Sequence, residues 1–405
     1  MKNILFTSVV FKNFAGSELV TLSQVNYFLE KGWNVDVFTL EYDKPLQEVV
    51  DDRINVVTLD DISQIKEQYD LIISRQYPLL DYVLFTLRVQ AKRVYYECVS
   101  YRIPVDAYPI YYKHLTLIGA VSTRVINEMT KFGYNMEDAY YMPNYATKEY
   151  FDIDYQKSKD LKKIAIVSNH VPQELEDFKA YALENTDMQI DIYGMHHTYK
   201  LITPELLKEY DVIISVGKTI FYSIAMGIPS YTYDEVCTEG YITLENYQKN
   251  FSNNFAYNLE YNKKTGKEIY VEIVTNYHKV LGETEKLKEN ARRDFFFDDL
   301  MDHLLNEIMI KDEIDYQKLY EEYPTLGYTA RTYIEDRDFL TRENIKWYKK
   351  SLELGELYQS EIKKTVDALG KYDVLFKSYN SILNSNGWKT LEKVKWIKEK
   401  LWKKK

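Results

Sequence analysis

The chain opens on an apolar run, Ile4 to Val10, followed by the polar stretch Asn13-Phe14-Ala15-Gly16-Ser17-Glu18 and then by Leu19, Leu22, Val25, Phe28 and Leu29. The first run has the length and character of a strand, and the three- and four-residue steps that follow place apolar side chains on one face of a helix. Lys31-Gly32 ends that helix and Val35 to Leu40 begins the next strand. This predicts a βαβ unit with parallel strands and a right-handed crossover. Further short apolar runs follow at Ile54 to Leu59, Leu71 to Ser74, Val94 to Tyr96 and Leu117 to Val121, separated by helix-sized segments. They predict a doubly wound sheet.

The alternation pauses near Pro143-Asn144-Tyr145 and, after the charged stretch Lys157 to Lys163, restarts with Ile164 to Ser168. Ile190 to Gly194, Val212 to Ser215 and Ser230 to Tyr233 continue it. The expected organisation is two Rossmann-like domains facing a cleft, residues 1–150 and 151–300, with the junction between about 146 and 162. In open α/β sheets ligands bind outside the carboxyl ends of the strands, so the loops after these runs are where chemistry is expected.

Strand-like runs vanish after about residue 285, and residues 301–405 are expected to form a helical extension. Ile345, Tyr348, Leu352, Ile362, Val366, Leu369 and Phe376 keep alternating three- and four-residue steps, interrupted by Gly355, Gln359 and Asp373. That seam suits a helical hairpin or coiled coil, and a homodimer through 341–380 is the partner it suggests. The last segment, Trp388 to Lys405, aligns Trp388, Leu391, Val394, Ile397 and Leu401 on one face among eight lysines and two glutamates. Two readings stand: an interfacial helix on anionic lipid at the inner face of a membrane, or a helix packed back on the protein.

Composition narrows the function. With 405 residues, 45% of them hydrophobic, the chain can build two cores, and no run reaches the roughly 18 apolar residues of a membrane span. The first apolar run is short and leads into a turn, so it is read as a strand rather than a secretory signal. Two distant cysteines, Cys98 and Cys237, match a reducing, cytoplasmic setting and give neither a disulfide framework nor a zinc site. A net charge of −10 argues against a general nucleic-acid binder. The 39 tyrosines are spread along the whole chain and decide nothing alone. No segment reads as a nucleophile elbow, long P-loop, Gly-rich dinucleotide fingerprint or metal-binding Asp-x-Asp site, which leaves hydrolase, NTPase and dehydrogenase readings without support.

The most informative segment is Asp211 to Pro229: a strand, the turn Gly217-Lys218-Thr219, a helix, Gly227 and the next strand, which ends at Tyr233-Asp234. A helix opening on Gly217-Lys218-Thr219 presents unpaired amides, the positive end of its dipole and a lysine to whatever lies above the sheet, and a diphosphate would be held there. Lys218 read alone is equally a solvated helix-start lysine. Other candidates are Gly16 and Ser17, where Gly16 permits a tight turn and Ser17 caps the first helix, and His170 in Ser168-Asn169-His170, read either as a phosphate or hydroxyl contact or as a polar loop residue. His114 and the pair His196-His197 are weaker, since adjacent residues diverge in a strand. Glu239, Gly240 and Tyr241 lie in the loop after the last strand.

The segment from Gly217 to Pro229 resembles the nucleotide-sugar-binding helix of GT-B glycosyltransferases, especially family 4, over roughly residues 1–300. Lys218 matches the basic residue that meets the donor diphosphate, and Ala225, Gly227 and Pro229 match the helix-end signature. Gly16-Ser17-Glu18 resembles the loop over the donor diphosphate and acceptor. Ile118-Gly119-Ala120-Val121-Ser122 and Met142-Pro143-Asn144 resemble the marks that close the first domain. Tyr222 departs from the pattern, standing where the family has a glutamate for the donor ribose, and Glu239 is a candidate replacement in a Gly-aromatic-hydroxyl loop.

The resemblance implies a metal-independent, retaining hexosyltransferase with no cofactor, acting in polysaccharide biosynthesis on a glycan, lipid-linked or protein-linked acceptor. The donor-binding residues carried over are Gly16, Ser17, His170, Lys218, Thr219, Tyr222, Asp234, Glu239, Gly240 and Tyr241, and no residue is singled out as catalytic. The rival expectation, prompted by Tyr222, is a non-catalytic glycosyltransferase-like subunit that binds glycan or a partner enzyme. A GT-B-fold sugar-nucleotide epimerase is a third reading, disfavoured by the basic tail.

Overall fold

The structure, a computed structural model, describes residues 1–235, 237–256 and 262–384, together with 390, 392, 393 and 395. The amphipathic segment from Trp388 lies almost wholly outside the described residues. The chain divides into two compact units, Met1–Ile334 and Glu335–Lys405.

The first unit holds two sheets. One contains β1 (Asn3–Phe11), β2 (Asn34–Tyr42), β3 (Asn55–Val57), β4 (Gln68–Ser74), β5 (Gln90–Cys98), β6 (Leu117–Ala120) and β7 (Tyr140–Tyr141), in the order β3-β2-β1-β4-β5-β6-β7 and parallel throughout. The other contains β8 (Lys163–Val167), β9 (Gln189–Tyr193), β10 (Val212–Ser215), β11 (Ser230–Thr232) and β12 (Gly240–Tyr241), in the order β12-β11-β10-β8-β9, with only β12 antiparallel.

Both sheets are covered on both faces, which is why their strands read as nearly continuous apolar runs. Ile4, Phe6, Leu71 and Ile73 enter one core of the first sheet, while Leu5 and Ile72 enter the core on its other face. Ile164, Ile166, Val212 and Ile214 likewise face away from Ala165 and Ile213.

After the helix Gly266–Phe295, opened by a Thr265–Glu268 capping box, the chain returns to the first sheet. Hydrogen bonds from Ala146 N to Phe295 O (3.2 Å) and from Phe297 N to Ala146 O (3.1 Å) tie the return to the junction. The helix Phe297–Ile310 then buries Phe297, Met301, Leu304 and Ile308 beside Ile4 and Phe28. Residues 301–334, expected to belong to a separate extension, thus pack in the first unit, because their apolar stripes are needed to cover its first sheet. The long helix Leu326–Asn384 starts there with Ala330 and Ile334 buried, and Ile345, Tyr348, Leu352, Ile362, Val366, Leu369 and Phe376 are exposed.

Candidate active site between the sheets

In the first sheet the winding reverses between β1 and β4, and in the second between β8 and β10. Crevices at such switch points, outside the carboxyl ends of the strands, are where ligands of open α/β sheets sit. Here the loops of both sheets build one cavity of ≈ 250 Å³, lined by Phe14 and Gly16 after β1, Ser168 to His170 after β8, Gly194, Tyr199 and Lys200 after β9, Lys218, Thr219 and Tyr222 after β10, and Asp234 after β11.

Two contacts hold its walls. Phe14 N donates to Tyr199 Oη at 2.8 Å, joining a loop of one sheet to a loop of the other. The loops after β8 and β9 are pressed together at Gly194, where a Cβ would lie 1.8 Å from the Ser168 carbonyl oxygen. Only glycine fits that approach.

Two helices begin at this cavity without a side-chain cap, Gly16–Glu30 and Lys218–Met226. Ser122, Thr203, Thr265 and Asp315 cap other helices, while Gln173–Asn185 and Phe297–Ile310 also begin without a side-chain cap. Ser17 does not cap the first helix as expected: the N-cap is Ala15, and Ser17 already sits in the first turn. Nor does Gly16 form a strained turn; its φ is not positive, and a side chain there would meet open space. The loop is shaped instead by Glu18, whose Oε1 accepts the amides of Asn13 (2.9 Å) and Lys12 (3.2 Å). Burial pushes the Glu18 carboxyl above its usual range. Gly217, at φ 59°, makes the turn into the second helix, a backbone state open mainly to glycine.

Lys218 is the most unusual group in the cleft. It is 8% exposed, and its Nζ is buried with no hydrogen-bond partner. The ammonium lies 4.1 Å from the centroid of Tyr145 and 5.4 Å from that of Tyr222. Burial, reinforced by the Arg75 guanidinium and opposed by Glu97 and Glu149, lowers its pKa to about 7. A buried polar group without a partner is costly. An anion in the cavity would relieve that cost and favour the charged amine.

Beneath Lys218 lies a buried ionic cluster. Arg75, which follows β4, donates to Glu97 Oε2 (2.8 Å), Thr21 Oγ1 (2.9 Å) and Gln24 Oε1 (2.6 Å). It thereby links β5 to the helix Gly16–Glu30. Tyr222 is buried and stacked flat on Tyr150, with centroids 3.9 Å apart and planes 4° apart. The position that the resemblance gives to a carboxylate therefore presents a fixed ring to the cavity.

A second cavity of ≈ 380 Å³ adjoins the first, and the two share Gly16, Val216 and Lys218. Its polar lining comes from Ser17, Gln76, Glu97, Ser100, Asp106, Asn144 and Asn254.

Neither a protein-family model nor a curated protein sequence matches the chain. Solved structures do match its fold. An Anabaena protein, HepE, solved with UDP and glucose, superposes with a TM-score of 0.54 at 11% identity, over 76% of this chain and 100% of that one. Sucrose-phosphate synthase from Thermosynechococcus elongatus gives 0.54 at 11% identity, over 76% and 99%, and TarM gives 0.52 at 10%, again over 76% and 99%. The chain has the GT-B fold.

Of the candidate residues named from the sequence, Gly16, His170, Lys218, Thr219, Tyr222 and Asp234 meet in the first cavity of this GT-B cleft, and Ser17 lines the second. Asp234 also closes its own turn, accepting from Cys237 N at 3.0 Å. Glu239, Gly240 and Tyr241 line neither cavity. Glu239 pairs with Lys249 at 2.9 Å, and Tyr241 is buried in the core edge-on to Tyr231. The carboxylate expected to replace the missing glutamate is not delivered to the site. Sequence reasoning passed over Tyr199, Lys200, Arg75, Glu97 and Asp106. Tyr199, Lys200, Arg75 and Asp106 shared one signal, a place after a strand end, whereas Glu97 lies within β5 and had none.

Proposed function

We propose that the protein transfers a sugar from a nucleotide-sugar donor to a glycan, lipid-linked or protein-linked acceptor, without a metal ion. The observation that carries this reading is the buried, unpartnered Lys218 ammonium at the start of the helix Lys218–Met226, lining a cavity built from the strand ends of both sheets. The leaving nucleoside diphosphate gains negative charge as the glycosidic bond breaks, and preoriented amides with a desolvated lysine stabilise that charge more than water does. HepE was solved with UDP-glucose and with UDP and glucose, which supports a nucleotide sugar as the ligand to try first.

Membership of family 4 and a retaining course are proposed on the motif resemblance around Lys218 and Gly227. The basic, tryptophan-bearing sequence of residues 388–405 supports an acceptor presented at an anionic lipid surface. The exposed apolar seam from Ile345 to Phe376 supports self-association.

The test is thermal unfolding against a panel of nucleoside diphosphates and nucleotide sugars, since a ligand of the native state raises apparent stability by mass action. A shift with one nucleotide that disappears in Lys218→Ala supports the transferase. The stacked pair Tyr222–Tyr150, in place of a ribose-binding carboxylate, favours a second reading, a glycosyltransferase-like subunit without catalysis. Absence of a shift with every nucleotide selects that second reading.

A further inference from the structure

The second cavity differs from the first in having buried acidic side chains and no cation apart from the shared Lys218. Asp106 ends a short turn after β5 and is 2% exposed. Gln76 approaches it from the loop after β4. The Gln76 Oε1 accepts from Val9 N at 2.6 Å, and the Gln76 side chain opposes part of the effect of burial on the Asp106 carboxyl. Asp106 Oδ1 is buried with no hydrogen-bond partner. The lining of the cavity combines polar groups (Ser100, Asn144, Asn254) with apolar ones (Val99, Val121, Pro143). The volume of ≈ 380 Å³ lies at the small end of the roughly 300–1,000 Å³ typical of ligand pockets.

We infer that this second cavity binds an uncharged, hydroxyl-bearing ring of the sugar or polyol class, and that the unpartnered oxygen of Asp106 hydrogen-bonds one of its hydroxyls. The inference rests on the donor reading above, which gives the first cavity to the nucleotide and leaves the second for the group that receives the sugar. A hydroxyl both donates and accepts, so it satisfies Asp106 in either protonation state. An anion in the same place would meet two carboxyls and no cation besides Lys218, which the donor reading gives to the diphosphate. Burial raises the Asp106 pKa to about 7, and the orphaned oxygen, on a residue that lines the cavity, fits a partner that arrives with the ligand.

The probes are the methyl glycosides of glucose, galactose and N-acetylglucosamine, with glycerol 3-phosphate as the anionic counterpart, observed by saturation-transfer NMR on the full chain with a saturating nucleoside diphosphate present. At least one methyl glycoside is expected to bind, to lose at least tenfold in affinity in Asp106→Ala, and to lose less in Asp106→Asn, which keeps the shape and a side-chain oxygen. The nucleoside diphosphate shift, which reads the other cavity, shows that each variant is folded. Glycoside binding that is absent, or unchanged in Asp106→Ala, while the nucleotide shift persists, overturns the inference and leaves the donor reading standing. Preferential binding of glycerol 3-phosphate overturns the uncharged class. Loss of the nucleotide shift in the unmodified protein defeats the donor reading and the inference with it.

Discussion

The two cavities share Lys218 and the starts of the same two helices yet differ in what else lines them. The first adds Lys200 and Asp234, whereas the second adds the buried carboxyls of Glu97 and Asp106 and side-chain amides and hydroxyls. Arg75 lies beneath the boundary, bonded to Glu97 on one side and raising the cost of charge on Lys218 on the other. Burial moves an amine and a carboxyl toward the same pH from opposite directions, because in each case it disfavours the charged form. Lys218 is thereby poised to gain a positive charge when an anion arrives, and Asp106 to hold its proton to a higher pH than an exposed carboxyl.

The largest way to break this contrast is Arg75→Met, which leaves Glu97 buried without its cation. A loss of about 3–5 kcal/mol in chemical denaturation is expected for removing one partner of a buried pair, and Arg75→Met combined with Glu97→Leu is expected to recover most of it. A loss in Arg75→Met below 1 kcal/mol would mean the pair does not organise the boundary. Next, Lys218→Ala is expected to lower kcat/KM by roughly 10²–10³, in line with removing one charge-stabilising donor at a reacting centre. A fall under fivefold, in a protein that turns over a nucleotide sugar, would remove Lys218 from the diphosphate.

Titration sharpens the comparison. With Lys218 at about 7, nucleotide affinity is expected to fall by up to about tenfold per unit as pH rises above 7, and Lys218→Met is expected to flatten that slope. The stability profiles run in opposite senses. Between pH 7 and 10.5 the unfolded chain keeps a Lys218 proton that the native state sheds, so this contribution rises with pH. Between 3.8 and 7 the native state keeps an Asp106 proton that the unfolded chain has lost, so that contribution falls as pH rises. Asp106→Asn should flatten only the lower window and Lys218→Met only the upper, each by up to about 1.4 kcal/mol per pH unit in unfolding free energies followed against pH. The smallest effect is expected for Tyr199→Phe. Loss of the bond from Phe14 N, worth about 1 kcal/mol, should weaken nucleotide binding a few-fold without changing its pH slope.

Sequence patterning located the ten longer strands to within a few residues, since doubly covered parallel strands are apolar along their length. It missed β7 and β12, whose two residues carry no period. Phe297, Met301, Leu304 and Ile308 were not singled out from the sequence; they fall on one helical face, but a stripe does not name its partner, so its place in the first sheet's cover is visible only in the structure. Lys218 was legible because Gly217-Lys218-Thr219 opens a helix directly after a strand. Ser17 was read as a cap because serine suits that position, yet the helix starts one residue before it.

The amino-acid sequence by itself determined the two wound sheets, the glycine turn into the helix at Lys218 and the loops in which ligand chemistry would lie, all of them consequences of local period and backbone freedom. Only the tertiary structure decided that Lys218 is desolvated over Tyr145, that Glu239 is spent on Lys249, and that Gln76 and Asp106 meet across loops from different strands. Burial and partnership depend on residues far apart in the chain, and no spacing rule records which of them the fold brings together.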